Sequence, residues 1–110
     1  MNIKNLIEQT GWKLATEKAD LNTEIEGVYC GDLLSWVMGN GEPGQAWITV
    51  QVHMNIVAVA KLREFSCILI ADNANLTPEI IDRAEGEEIA IIETGIPVFE
   101  SARKLIELGV

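Results

Sequence analysis

Two kinds of hydrophobic pattern meet in the stretch WITVQVHMNIVAVAKL, Trp47 to Leu62. Ile48, Val50 and Val52 alternate with polar residues, as in a strand. Ile56, Val57, Ala58, Val59, Ala60 and Leu62 then form a run that is apolar at nearly every position. The alternation predicts a strand over Trp47 to Val52, and the run a helix over Asn55 to Phe65. The same pattern repeats downstream. CILIA, Cys67 to Ala71, is continuous enough to predict a strand buried on both faces. Thr77-Pro78-Glu79 supplies a cap, a first-turn proline and an acid at the positive end of the dipole, opening a helix to about Glu85. Glu88 to Ile92 reads as a further buried strand and Pro97 to Leu108 as the last helix, ended by Gly109. Three successive β-α units of this kind predict a parallel sheet with helices on both faces.

The first part of the chain is less regular. Asn2 is placed to cap a short helix carrying Ile3, Leu6 and Ile7 on one face, with Gly11 ending it. WKLAT, Trp12 to Thr16, reads as a short strand and Glu17 to Thr23 as a polar connection. Glu26 to Cys30 predicts a second strand, with Gly27 and Gly31 marking a bulge and its end. Asp32 is a candidate N-cap for the helix LLSWVM, and GNGEPG, Gly39 to Gly44, is the strongest turn signal in the chain. The fold expected is therefore α/β, a three-layer α/β/α arrangement on a mostly parallel sheet, in one domain spanning residues 1–110.

Composition narrows the function. The chain has 110 residues, 48% apolar and 23% charged, which suits one packed core. Seventeen acidic against eight basic residues give a net charge of −9 with no basic cluster, which argues against a nucleic-acid partner. Cys30 and Cys67 each lie in an apolar segment without CxxC spacing, so two buried free thiols are expected, with a bridge open to them only if their strands are neighbours. The N-terminal MNIKNLIEQT lacks the charged-then-apolar order of a signal peptide. No apolar run approaches the ~20 residues that a membrane span needs. A cytoplasmic protein with no membrane association follows as the expectation.

Candidate chemistry is sparse. No GxSxG elbow accompanies the single histidine, no ligand spacing points to a metal, and GNGEPG lacks the Lys-Ser/Thr and the following helix of a phosphate loop. No catalytic residue, metal or cofactor is assigned, and the chain is expected not to be an enzyme. In a parallel sheet, ligands gather at the carboxyl ends of the strands. Gln51 to Asn55, Asp72 to Leu76 and Glu93 to Pro97 should meet there, making His53, Asn55, Asp72, Asn73 and Thr94 the candidate ligand contacts. His53 is expected mainly to orient the strand-to-helix turn through a hydrogen bond to backbone or to a neighbour such as Asp72 or Asn55. The helix from Asn55 lacks a polar face, so its Ile56, Val57, Val59 and Ala60, with Trp36, are the candidate surface for a homodimer. The competing reading is that the segment carrying Trp36, Val37 and Met38 covers that helix within one subunit.

Laid end to end, GVYCGDLLSWVM, AWITVQVHMNIVAVAKL and CILIADNANLTPEIIDRAEGEEIAIIETGIPVFESARKLIE resemble the DRTGG domain over essentially the whole chain. The matching features are Ile48-Thr49 ending a strand, Ile56-Val57 opening a helix, Pro78 to Ala84, and Thr94 to Phe99. That family occurs beside phosphotransacetylase catalytic domains and CBS-domain pyrophosphatases, and is related to the N-terminal domain of HPr kinase. Stand-alone members occur in anaerobic bacteria, often encoded near iron-only hydrogenases. The resemblance implies an HPr kinase N-terminal domain-like fold and a regulatory or scaffold module acting through homodimerisation and protein contacts. A kinase-like or hydrogenase-associated partner would fit it. The alternative is a sensor of a small ligand, a nucleotide or acidic metabolite, at the carboxyl edge of the sheet. The naming residues differ here: Val52-His53 stand where the family has Asp-Arg, and Ala71-Asp72-Asn73 where it has Thr-Gly-Gly. An anion site tied to the family's arginine thus keeps only His53 as a weakened base.

Overall fold

In the computed structural model, which describes residues 1–110, the pattern resolves into ten elements. They are α1 (Ile3–Thr10), β1 (Lys13–Leu14), β2 (Val28–Cys30), α2 (Leu34–Asn40) and β3 (Ala46–Thr49), followed by α3 (Asn55–Arg63), β4 (Cys67–Ile70), α4 (Pro78–Gly86), β5 (Ile91–Glu93) and α5 (Val98–Glu107). The strands form one five-stranded sheet in the order β1-β5-β4-β3-β2. β2 to β5 are parallel, and β1 pairs antiparallel with β5, Lys13 opposite Glu93. The expected α/β class and mostly parallel sheet are what the chain adopts.

Alternation along the strands divides the core into two layers. Trp47, Ile68, Ile70 and Ile91 pack with Val37 of α2, Ile80 and Ala84 of α4, and the buried side of α3. Ile48, Leu69 and Ile92 point the other way, onto Ile3 and Leu6 of α1 and Leu105 of α5. The parallel strands follow one another across the sheet in chain order. Right-handed crossovers repeated in one direction place all their helices on one face, so α2, α3 and α4 lie side by side with α3 in the middle.

That placement corrects the reading of α3. A helix flanked by two others and seated on a sheet meets protein on three sides, and needs no second copy to hide its apolar residues. Ile56 and Val57 are fully buried, and Ala60 and Val59 nearly so, within one subunit. Only Asn55, Ala58, Lys61, Leu62 and Glu64 face outward on this segment. Four of the five candidate interface residues are therefore unavailable to a partner; Trp36, 64% exposed, is the exception. The α2 segment does lie against α3 and covers it, as the competing reading had it.

Other boundaries moved for local reasons. Asp32 does not cap α2, because its carboxylate is used elsewhere; Leu33 holds the cap position without a side-chain bond. The glycine-rich run begins inside α2, and a Cβ at Gly41 would run into the Phe65 ring. β5 starts at Ile91 because Glu88 turns through the left-handed region at φ 56°. α1 matches its expectation closely: Asn2 and Asn5 form a reciprocal capping box, and Gly11 closes the helix at φ 70°.

Candidate functional site at the carboxyl edge of the sheet

At the end of β3 the chain is held by a relay of short-range hydrogen bonds. Asp32 Oδ1 accepts the Thr49 hydroxyl at 2.7 Å and the Val50 N–H at 2.9 Å. Thr49 Oγ1 in turn accepts the Gln51 N–H at 3.0 Å, and Gln51 Oε1 accepts the His53 N–H at 3.1 Å. Finally His53 Nδ1 accepts the Asn55 N–H at 3.1 Å, where α3 begins. The bond fixes the tautomer, with the ring proton on Nε2. His53 Nδ1 and the Asn55 N–H are thus spent on the turn itself.

The end of β4 is a tight turn of unusual hand. Asp72 and Asn73 have φ 57° and 54°, and the Ala74 N–H reaches Ala71 O at 3.1 Å, which defines a type I′ turn. Glycine favours both positions, and Asn and Asp are the side chains that best tolerate them. The Asp72 N–H donates to Ile96 O at 2.9 Å and so joins this turn to the one after β5. There, Thr94 is buried, with its hydroxyl 2.9 Å from Ser101 Oγ and 3.2 Å from Ile96 O.

Asn73 and Thr94 do come together. Along with Gly11, Trp12, Lys13, Glu93 and Gly95 they line an open cleft of about 360 Å³ between the start of β1 and the end of β5. Lys13 Nζ and Glu93 Oε2 face each other there at 3.6 Å. His53, Asn55 and Asp72 do not line this cleft. Lys13 escaped the sequence reading because β1 is too short to show its direction; only the antiparallel register puts it at the carboxyl edge, opposite Glu93 of the segment expected there.

The thiols divide by environment. Cys67 is buried, and loss of solvation pushes it up to about 12 despite a hydrogen bond from Ser66. Cys30 is exposed, contrary to expectation, because β2 is an edge strand; partial burial and the nearby Asp32 charge still raise it. The two are free, with β3 lying between their strands.

The outer edge of β2 is open. Gly27 O and the Gly31 N–H are bonded to β3, so the backbone groups of Val28 and Cys30 face away from the sheet. α2 follows this strand on one face and α5 crosses β2 and β3 on the other. The exposed large apolar residues Leu33 and Trp36 belong to the first of these segments, Phe99 and Ile106 to the second. No helix is long and apolar enough to cross a membrane.

No protein-family model matches the sequence, and a comparison with curated proteins gives no match either. Among solved structures, the fold is similar to the CBS and DRTGG domains of the regulatory region of Clostridium perfringens pyrophosphatase, crystallised with its activator diadenosine tetraphosphate. The TM-score is 0.73 at 15% identity, and the likeness covers 93% of this chain and 44% of that one. The chain thus spans less than half the length of that relative. The likeness supports a DRTGG-like fold, and the relative is a regulatory rather than a catalytic region.

Proposed function

We propose that residues 1–110 form a single DRTGG-like domain that serves as a non-enzymatic regulatory or scaffold module in the cytoplasm, working as a homodimer. The observation that carries this is the β2 edge. An unpaired strand edge invites another strand, and this one lies between helices bearing Leu33, Trp36, Phe99 and Ile106. Between Val28 and Met38 the only charge is Asp32, on a chain of net charge −9, and Glu100 and Glu107 of α5 are both paired with Arg103. Two copies meeting here would bury apolar area without bringing acidic faces together, and an edge that pairs with itself gives the closed two-fold assembly common among homodimers. A further protein partner, kinase-like or hydrogenase-associated, follows from the DRTGG resemblance.

The test is sedimentation equilibrium at micromolar concentration, with a species of twice 12.1 kDa expected. Trp36→Glu is expected to return it to monomer with its circular dichroism unchanged. A wild-type chain that stays at 12.1 kDa would remove the homodimer reading.

A second reading is favoured by the cleft at the carboxyl edge: a sensor that binds a small ligand there. It is the place where open parallel sheets bind ligands, and the pyrophosphatase regulatory region, similar in fold, is complexed with a dinucleotide activator.

A further inference from the structure

We infer that the cleft beside β1 and β5 is built for a small zwitterion of the α-amino-acid type. This rests on the second reading above, that the carboxyl edge takes a ligand, and adds the chemistry of that ligand.

Size comes first. About 360 Å³ lies at the small end of ligand cavities, which run from roughly 300 to 1,000 Å³. Of the lining residues only Trp12 is hydrophobic, and it is nearly buried, so no exposed ring offers itself for stacking.

Charge decides the class. The cleft holds one cation and one anion on facing strands, Lys13 and Glu93, and their side chains are 78% and 30% exposed. An exposed pair at 3.6 Å contributes little to stability and is easily parted. A dianionic ligand would meet Glu93 inside a chain of net charge −9, and a simple cation would meet Lys13. A molecule carrying a carboxylate and an ammonium on one carbon satisfies both, the carboxylate on Lys13 and the ammonium on Glu93.

The backbone keeps the rim bare. Gly11, Asn73 and Gly95 all have positive φ, so two of the three rim positions carry no side chain. The main-chain N–H groups of Asn73 and Gly95 and the Asn73 amide bond to no protein group, so residues that line the cleft with Lys13 carry unspent donors.

The experiment is a titration of the 15N-labelled full chain, followed by NMR, with the twenty amino acids. Each is paired with its deaminated and its decarboxylated counterpart, and adenine nucleotides are added as a separate arm. Expected is saturable movement of the Gly11, Asn73 and Gly95 amides by one or a few amino acids, with both counterparts at least about tenfold weaker. Lys13→Met and Glu93→Gln should each weaken binding about tenfold or more, the scale of a lost charged hydrogen bond, while the rest of the spectrum stays in place. Three results would overturn the inference: no saturable response to any amino acid, a counterpart that binds as well as its parent, or variants that bind unchanged. Movement of the same amides by nucleotides alone would also overturn it, yet would leave the sensor reading standing; silence in both arms would remove the two together.

Discussion

The Asp32 carboxylate accepts the Thr49 hydroxyl at 2.7 Å across the ends of β2 and β3. Thr49 is buried at the last position of its strand, where its hydroxyl needs a partner. Asp32 supplies it and also takes the Val50 N–H, so one side chain closes two backbone segments at the carboxyl edge.

Asp32→Ala is therefore expected to lower stability by about 2 kcal/mol, since bonds to a charged acceptor are worth ~1.5–3 kcal/mol. Asp32→Asn should cost less, because it keeps an acceptor oxygen. Thr49→Val removes the hydroxyl from the same contact, so the double variant with Asp32→Ala should fall short of the sum of the two. Urea midpoints of the four proteins check this. Additive effects would mean that the two residues act separately.

His53→Ala should cost about 0.5–1.5 kcal/mol, the scale of one neutral hydrogen bond, by releasing the Asn55 N–H at the start of α3. His53→Asn should recover most of it, since an asparagine side chain accepts from the N–H two residues on. Thermal unfolding of both variants decides the matter. An Asn variant no better than the Ala variant would show that the imidazole acts through packing instead.

These contacts mark where sequence reasoning stopped. Strands with local signatures were legible: Cys67 to Ile70 is continuous and apolar because helices cover both faces, and Asn2 with Gly11 brackets α1 by cap chemistry alone. Three-dimensional neighbours were not. The buried state of Ile56, Val57, Val59 and Ala60 depends on α3 lying between α2 and α4, and Cys30 is exposed because its strand ended up at the edge. Asp32 was read as a cap because nothing in the chain announces Thr49 as its partner. Of the carboxyl-edge candidates only Asn73 and Thr94 line the cleft, and a two-residue β1 gave no period from which to place Lys13 opposite Glu93.

The thiols should separate cleanly in a labelling experiment. Cys67 is buried with its pKa near 12, and Cys30 is exposed. A disulfide reagent should take up one equivalent per native chain and two after unfolding, and Cys30→Ser should abolish the native reaction. Because burial and the Asp32 charge raise Cys30 above its usual value of 9.0, its rate should still be rising past pH 9. Two fast native equivalents would contradict the burial of Cys67.

Glu85 ties the polar loop after β1 to α4. Its two carboxylate oxygens accept the Glu17 N–H, both at 2.9 Å, and one also accepts the Lys18 N–H at 3.0 Å. The Lys18 bond and then the Glu17 bond hold this carboxyl below its ordinary value of 4.5. Such a group binds its proton less readily folded than unfolded, so it stabilises the fold above the unfolded value, and that contribution fades as pH falls through the folded one. Glu85→Gln keeps the shape and one acceptor but removes the charge, and the other carboxylates cancel in the comparison with wild type. The gap in urea midpoint between the two proteins should be open and constant at neutral pH, begin to close below about pH 4.5, and vanish once Glu85 is protonated in the folded chain. The Glu17 and Lys18 amide shifts should follow the same titration in wild type alone. A gap that stays the same across the acid range would mean the loop is held by Glu85 through shape rather than charge.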